Sequence, residues 1–156
     1  MIGGTPAAGS TIWAMRNVGT KTVRLRNIDL MVGFSGTAAA TAQSYQIVRF
    51  SGATPTGGTA LVVVKRRNSA SATTITDARF GGVTQTALTV AGVAFEAVAS
   101  HVGCSRQNGP GSHFDQIWPN TQDGFEIAVN EGLAIQIELI AVAGDWISGT
   151  VTWDEF

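Results

Sequence analysis

Four residues of this chain carry the side chains of a metal site: His101 and Cys104 as His-x-x-Cys, then His113 and Asp115 as His-x-Asp. Imidazole, thiolate and carboxylate together complete a tetrahedral zinc centre. The set matches no tight ligand spacing. A metal-dependent double-sheet barrel enzyme needs more ligands than two histidines easily provide. The sequence therefore predicts no metal and no cofactor, with Cys104 buried and the histidines solvated. Cys104 with either histidine is also a nominal nucleophile and base. No third group orients the pair and no oxyanion nest goes with it, so no catalytic residue is assigned and the chain reads as a non-enzyme. Lys65, Arg66 and Arg67, with Arg79, form a small basic cluster of the kind that binds phosphate. It lacks interleaved aromatics, so it reads as a solvated strand end or a salt-bridging contact to a neighbour. Gly57-Gly58 and Gly81-Gly82 lie at turns and open no helix, so they are not phosphate cradles. Trp118, Trp146 and Trp153 are the residues that would stack on a sugar. Core packing for Trp153 and interface packing for Trp118 or Trp146 is the preferred reading.

The composition points the same way. With 156 residues the chain is long enough for one domain with a real core. Its net charge of -1 gives no attraction to nucleic acid or to an anionic membrane. Only 13% of residues are charged, about half the usual share of roughly 25%, and Lys21 and Lys65 are the only lysines. Interfaces are depleted in Lys, Glu and Asp relative to free surface. Much of this exterior is therefore expected to be covered, in an oligomer or a lattice. Cys104 is the single cysteine, which excludes an intrachain disulfide. Residues 1–10 (MIGGTPAAGS) lack the basic start and apolar core of a signal peptide. No apolar run is long enough to span a membrane.

The elements that must position these residues read as strands. Residues 1–10 are expected to be a flexible arm, and 11–156 a single β-sandwich domain. Thr11 to Arg16 is a short first strand with Trp13 packed. In Thr22 to Phe34, Val23 and Leu25 share one parity and Ile28, Leu30, Val32 and Phe34 the other. That single slip, near Arg26-Asn27, predicts a β-bulge, with Arg24, Arg26 and Asp29 pointing outward. Ser35 to Ala42 is a loop in which Ala38 to Ala40 can form one helical turn. Gln43 to Phe50 is a strand with Tyr45 and Ile47 on one face, Val48 and Phe50 on the other. Ser51 to Gly58 is a turn by composition. Leu61 to Val64 suits a strand covered on both faces. Thr74 to Phe80 is a weaker strand. Gln85 to Val90 alternates, with Leu88 and Val90 inward. Gly92 to Val102 is read as strand over helix, because Gly92 and the β-branched residues disfavour a helix. His101 to Gly124 is a long polar loop anchored by Trp118-Pro119, and Phe125, Ile127 and Val129 alternate once more.

The chain ends on two strand-like runs, with Ile135, Ile137 and Leu139 inward in the first and Ile147, Val151 and Trp153 in the second. An odd-length loop at Ala143-Gly144-Asp145 keeps the apolar faces together, pairing Ile137 with Val151 and Ile135 with Trp153. A long C-terminal hairpin is thus expected. Eight or nine strands without a helix predict an all-β fold, an antiparallel sandwich of jelly-roll type.

The arm MIGGTPAAGS, strands such as GTALVVV and the closing EGLAIQIELIAVAGDWISGTVTWDE resemble small jelly-roll virion proteins of tailed bacteriophages, the decoration or cement class. The resemblance is one of style along the whole chain and transfers no binding residue. It implies a homotrimer on the capsid surface, made in the bacterial host cytoplasm, that binds the major capsid protein across neighbouring subunits. The competing binding-module reading is a receptor- or glycan-binding knob of a tail fibre, with Trp118 in a shallow groove. A cupin-like enzyme using His101 or His113 with a metal is the third.

Overall fold

The computed structural model describes residues 9–34, 42–52, 54–63, 77–81, 88–89, 94–105, 109–117, 125–137 and 145–156. They form ten strands: β1 (Thr11–Arg16), β2 (Val23–Phe34), β3 (Ala42–Ser51), β4 (Thr59–Ala60), β5 (Asp77–Phe80), β6 (Ala94–Ser105), β7 (Gly109–Ile117), β8 (Glu126–Ile127), β9 (Glu131–Ile137) and β10 (Asp145–Glu155). A six-stranded sheet runs β4-β5-β1-β9-β3-β6; a four-stranded sheet runs β10-β2-β7, with β8 also paired to β2. All pairs are antiparallel. The two sheets close on one core, which makes the protein an all-β sandwich.

Alternation explains the core. From the four-stranded sheet Val23, Leu25, Ile28 and Ile127 point inward, and from the six-stranded sheet Ile12, Met15, Tyr45, Ile47, Leu133, Ile135 and Ile137. Trp13, Phe125, Val151 and Trp153 are half-buried against this set. Each fully buried aliphatic side chain contributes about 1.5–3 kcal/mol. The expected bulge is present in β2. Thr152 of β10 stands opposite Asn27 and Trp153 opposite Leu25, so Arg26 is the extra residue. The insertion lets Leu25 and Ile28, of opposite parity, both face the core. A similar shift in β1, between Thr11 and Trp13, lets Ile12 and Met15 both turn inward.

The six-stranded sheet has a second buried face. Ala14, Val48, Phe50, Leu88 and Ala134 cluster there, as the split of Tyr45 and Ile47 from Val48 and Phe50 requires. Its cover is the segment after β3. Thr56 and Thr89 exchange two main-chain bonds, at 2.9 and 3.0 Å, and the Leu88 N–H donates to Thr11 O at 2.8 Å. Gly58, at φ +56°, brings this segment onto Leu88 and the Phe80 carbonyl, where a side chain would not fit. Being covered on both faces, β9 buries Gly132, Leu133, Ala134 and Ile135 in succession.

Several expectations are corrected. The C-terminal runs form no hairpin: β9 lies between β1 and β3, and Ile137 pairs with Tyr45, while β10 pairs with β2. Alternation assigns a face to each strand, and a sandwich offers two sheets in which that face is inward. Much of the long loop expected over His101 to Gly124 is strand. His101 to Ser105 end β6, and β7 runs along β2. Pro110 and the glycines hid β7; Pro110 sits beside a register shift at Val32/Gly33, on a strand bonded on one side only among the described residues. The Leu61 to Val64 run is not a doubly covered strand. Thr59–Ala60 pair with β5 at the sheet edge, Leu61 N–H donates to Ala78 O at 2.8 Å, and Val62 is 88% exposed; Val64 lies outside the described residues. Of the alternating Phe125, Ile127 and Val129, only Ile127 is buried; β8 is two residues long and Val129 is exposed. The arm shortens as well. Gly9 N–H donates to Ile137 O at 2.6 Å and Ile137 N–H to Ser10 O at 3.0 Å, extending the β9 ladder. Ala42, expected at the end of the loop from Ser35, opens β3; residues 1–8, the rest of that loop, Gln85 to Ala87, Val90 and Leu139 lie outside the described residues.

Asn17, fully buried, fixes the exit from β1. Its amide donates to Lys21 O at 2.7 Å and to Ile127 O at 3.2 Å, and its side-chain oxygen accepts from Gly19 N–H. This is an Asx-type turn. Asn17→Ala leaves buried carbonyls unpaired and is expected to cost about 2 kcal/mol, read as a melting point lowered by roughly 5 °C. A shift under about 1 °C would mean that water replaces the amide.

Candidate functional site

The fold separates the residues with chemical potential. His101 and Cys104 lie on β6, in the six-stranded sheet, with Cys104 opposite Gln43. His113 and Asp115 lie on β7, in the four-stranded sheet, opposite Met31 and Asp29. The four are thus divided between the two sheets. Their side chains, together with Lys65, Arg66, Arg67 and all of Trp118, lie outside what is described. Trp146 is described as a backbone position opposite Gly33. Trp153 goes to the core margin, and its indole N–H donates to Glu155 Oε1 at 3.2 Å.

The described arginines are spent inside the molecule. Arg24 pairs with Glu126 at 2.6 Å and stacks on the Phe156 ring, 4.4 Å from its centre. Arg26 pairs with Asp154. Arg49 lies 4.5 Å over the Phe125 ring. Arg16 donates to Thr54 and Asn130, and Arg79 to Gly57 O. Arg24 stands opposite Glu126 and Asp154, and Arg26, two residues on and so on the same outer face, reaches Asp154 from the bulge. Such exposed pairs are worth under about 1 kcal/mol. Their effect here is to neutralise the surface.

Among the described side chains, what remains on the outer side of the four-stranded sheet is one half-buried carboxylate, Asp29, and otherwise uncharged residues. Ser148 and Thr150 are exposed, Thr152 is half-buried, and Met31 is 40% exposed. Sequence patterning marked the even residues of β10 as outward but missed that, among the described residues, this strand is a sheet edge, which alternation does not encode. No protein-family model, curated protein or solved structure matches the chain. The described part of this surface is a β face whose arginines, Arg24 and Arg26, are matched by Glu126 and Asp154.

Proposed function

We propose that this chain is a structural virion protein that decorates or cements a bacteriophage capsid, a jelly-roll-like sandwich binding across neighbouring shell subunits and associating with itself as a homotrimer. The observation that supports this reading is the low free charge of the described outer face of β2 and β10. Ser148, Thr150, Thr152 and Met31 face outward beside arginines already paired with Glu126 and Asp154. Desolvating such a face strands no free charge, which is the main penalty in burying polar surface. The mechanism is linkage: a ligand that binds the assembled shell and not the loose subunits stabilises the shell, by about 2.7 kcal/mol at a hundred times its dissociation constant.

The test is immunogold labelling of particles made by cells that express this chain from its natural locus. Gold on the heads is expected, together with a higher disassembly temperature than for particles lacking the chain. Particles that carry no label and disassemble alike with and without the chain would overturn the proposal.

A further inference from the structure

We infer that the free edge of β10 pairs with the β10 edge of a second copy, antiparallel, with Gly149 on the twofold axis. The argument begins with the direction of the main-chain groups. Thr22 and Phe156 exchange both bonds, each at 3.1 Å. In an antiparallel ladder such pairs alternate with unbonded ones. The extra residue of the bulge lies on β2, so the alternation along β10 is unbroken. The even residues therefore turn their N–H and C=O toward β2, and Ile147, Gly149 and Val151 turn theirs away from it. Among the described residues no strand meets that side. Gly149 supplies independent evidence. It stands at a core-facing position with no side chain, yet it is exposed, so the surface open to water there is backbone.

Natural edges of this length are usually blunted by lysine, proline or a central bulge. β10 (DWISGTVTWDE) has neither lysine nor proline, and it contributes no extra residue of its own. The occupant follows from register. Centred on Thr150, the overlap would set Asp145 against Glu155; centred on Val151, Ile147 against Glu155. Both oppose an acid to an acid or to an apolar residue. Centred on Gly149, it sets Ile147 against Val151, Ser148 against Thr150 and Trp146 against Thr152; Asp145 meets Trp153 at the end of the overlap, and the acids Asp154 and Glu155 fall beyond the facing strand. This register brings one acid of each strand into the overlap, against three when centred on Thr150 and two when centred on Val151, and it keeps the uncharged run from Trp146 to Thr152 facing itself, which favours a second copy over an unrelated peptide. The two four-stranded sheets then become continuous. An isologous contact closes at two copies, so it is distinct from the threefold contact proposed above and compatible with it. The inference rests on the self-association in that reading and not on the shell.

Light scattering of the full chain is expected to give two copies of 16.2 kDa, or six where the threefold contact also forms. Thr150→Lys sets two ammonium groups beside the axis and is expected to weaken this contact at least about tenfold, halving the mass. Gly149→Pro removes the outward N–H and spares the ladder to β2. Hydrogen exchange needs no variant: the Gly149 amide is expected to be protected at high concentration and to exchange about tenfold faster on dilution through the dissociation constant. A wild-type mass of one or three copies, or exchange at Gly149 independent of concentration, overturns the inference. Particle labelling reports on the shell reading separately.

Discussion

Gly132→Val is expected to cost roughly 3 kcal/mol or more, a large part of the 5–15 kcal/mol that holds a typical domain together. Gly132 stands opposite Arg16 on one side and Phe50 on the other, in the middle of the six-stranded sheet. A Cβ there would lie 2.5 Å from the Met15 carbonyl oxygen and would run into the Phe50 ring. The carbonyl is fixed by the β1–β9 pairing, and Phe50 is fully buried, so neither neighbour has room to withdraw. Chemical denaturation reads the loss as a lower midpoint at constant slope. Gly132→Ala should show the same direction. Phe50→Leu in that background should recover only part, because the carbonyl clash remains. A loss below about 1 kcal/mol for the valine variant would show that the sheet opens there to admit it.

The second large effect concerns one missing residue. Deletion of Asp29 is expected to abolish cooperative folding, and deletion of Arg26 three positions away to leave it intact. Without Arg26 the strand reads Val-Arg-Leu-Asn-Ile-Asp-Leu, with every apolar residue on one parity. The ladder to β10 then regularises between Leu25 opposite Trp153 and Asn27 opposite Thr152. The loss is the Arg26–Asp154 pair, under about 1 kcal/mol at an exposed site. Without Asp29 every residue of β2 beyond Ile28 changes parity: Met31, exposed on the outer face, is turned toward the core side, and the register with Trp146 to Gly149 of β10 slips by one. Circular dichroism melts of the two variants separate these cases. Equal stability of the two would mean that the bulge does not set the phase of β2.

These two sites also show what a sequence can disclose. The bulge was legible because a phase slip within a β-rich run is a local signal, and so was the split of β3, where Tyr45 and Ile47 serve one cluster and Val48 and Phe50 another. The partner of a strand is not local. Ile135 and Ile137 announce an inward face, but nothing in them distinguishes pairing with β10 from pairing with β1 and β3. β7 was hidden for a different reason: a strand bonded on one side among the described residues tolerates Pro110 and four polar residues because half of its backbone does not depend on a ladder. The clash at Gly132 was equally silent, since it depends on a ring and a carbonyl brought from distant segments. Of the candidate site little was legible. Charge deficit announced a covered surface, but the pairing of Arg24 and Arg26 with Glu126 and Asp154 needed the fold to place residues from opposite ends of the sequence side by side.

The position of β1 between β5 and β9 carries a consequence for biosynthesis. Trp13 pairs with Ile135 and Met15 with Leu133, so β1 leaves the ribosome long before the strand it pairs with. At 5–20 residues per second that delay is on the order of ten seconds, during which Ile12, Trp13 and Met15 have no partner on the β9 side. Such high contact order slows folding and gives holdase chaperones a nascent target.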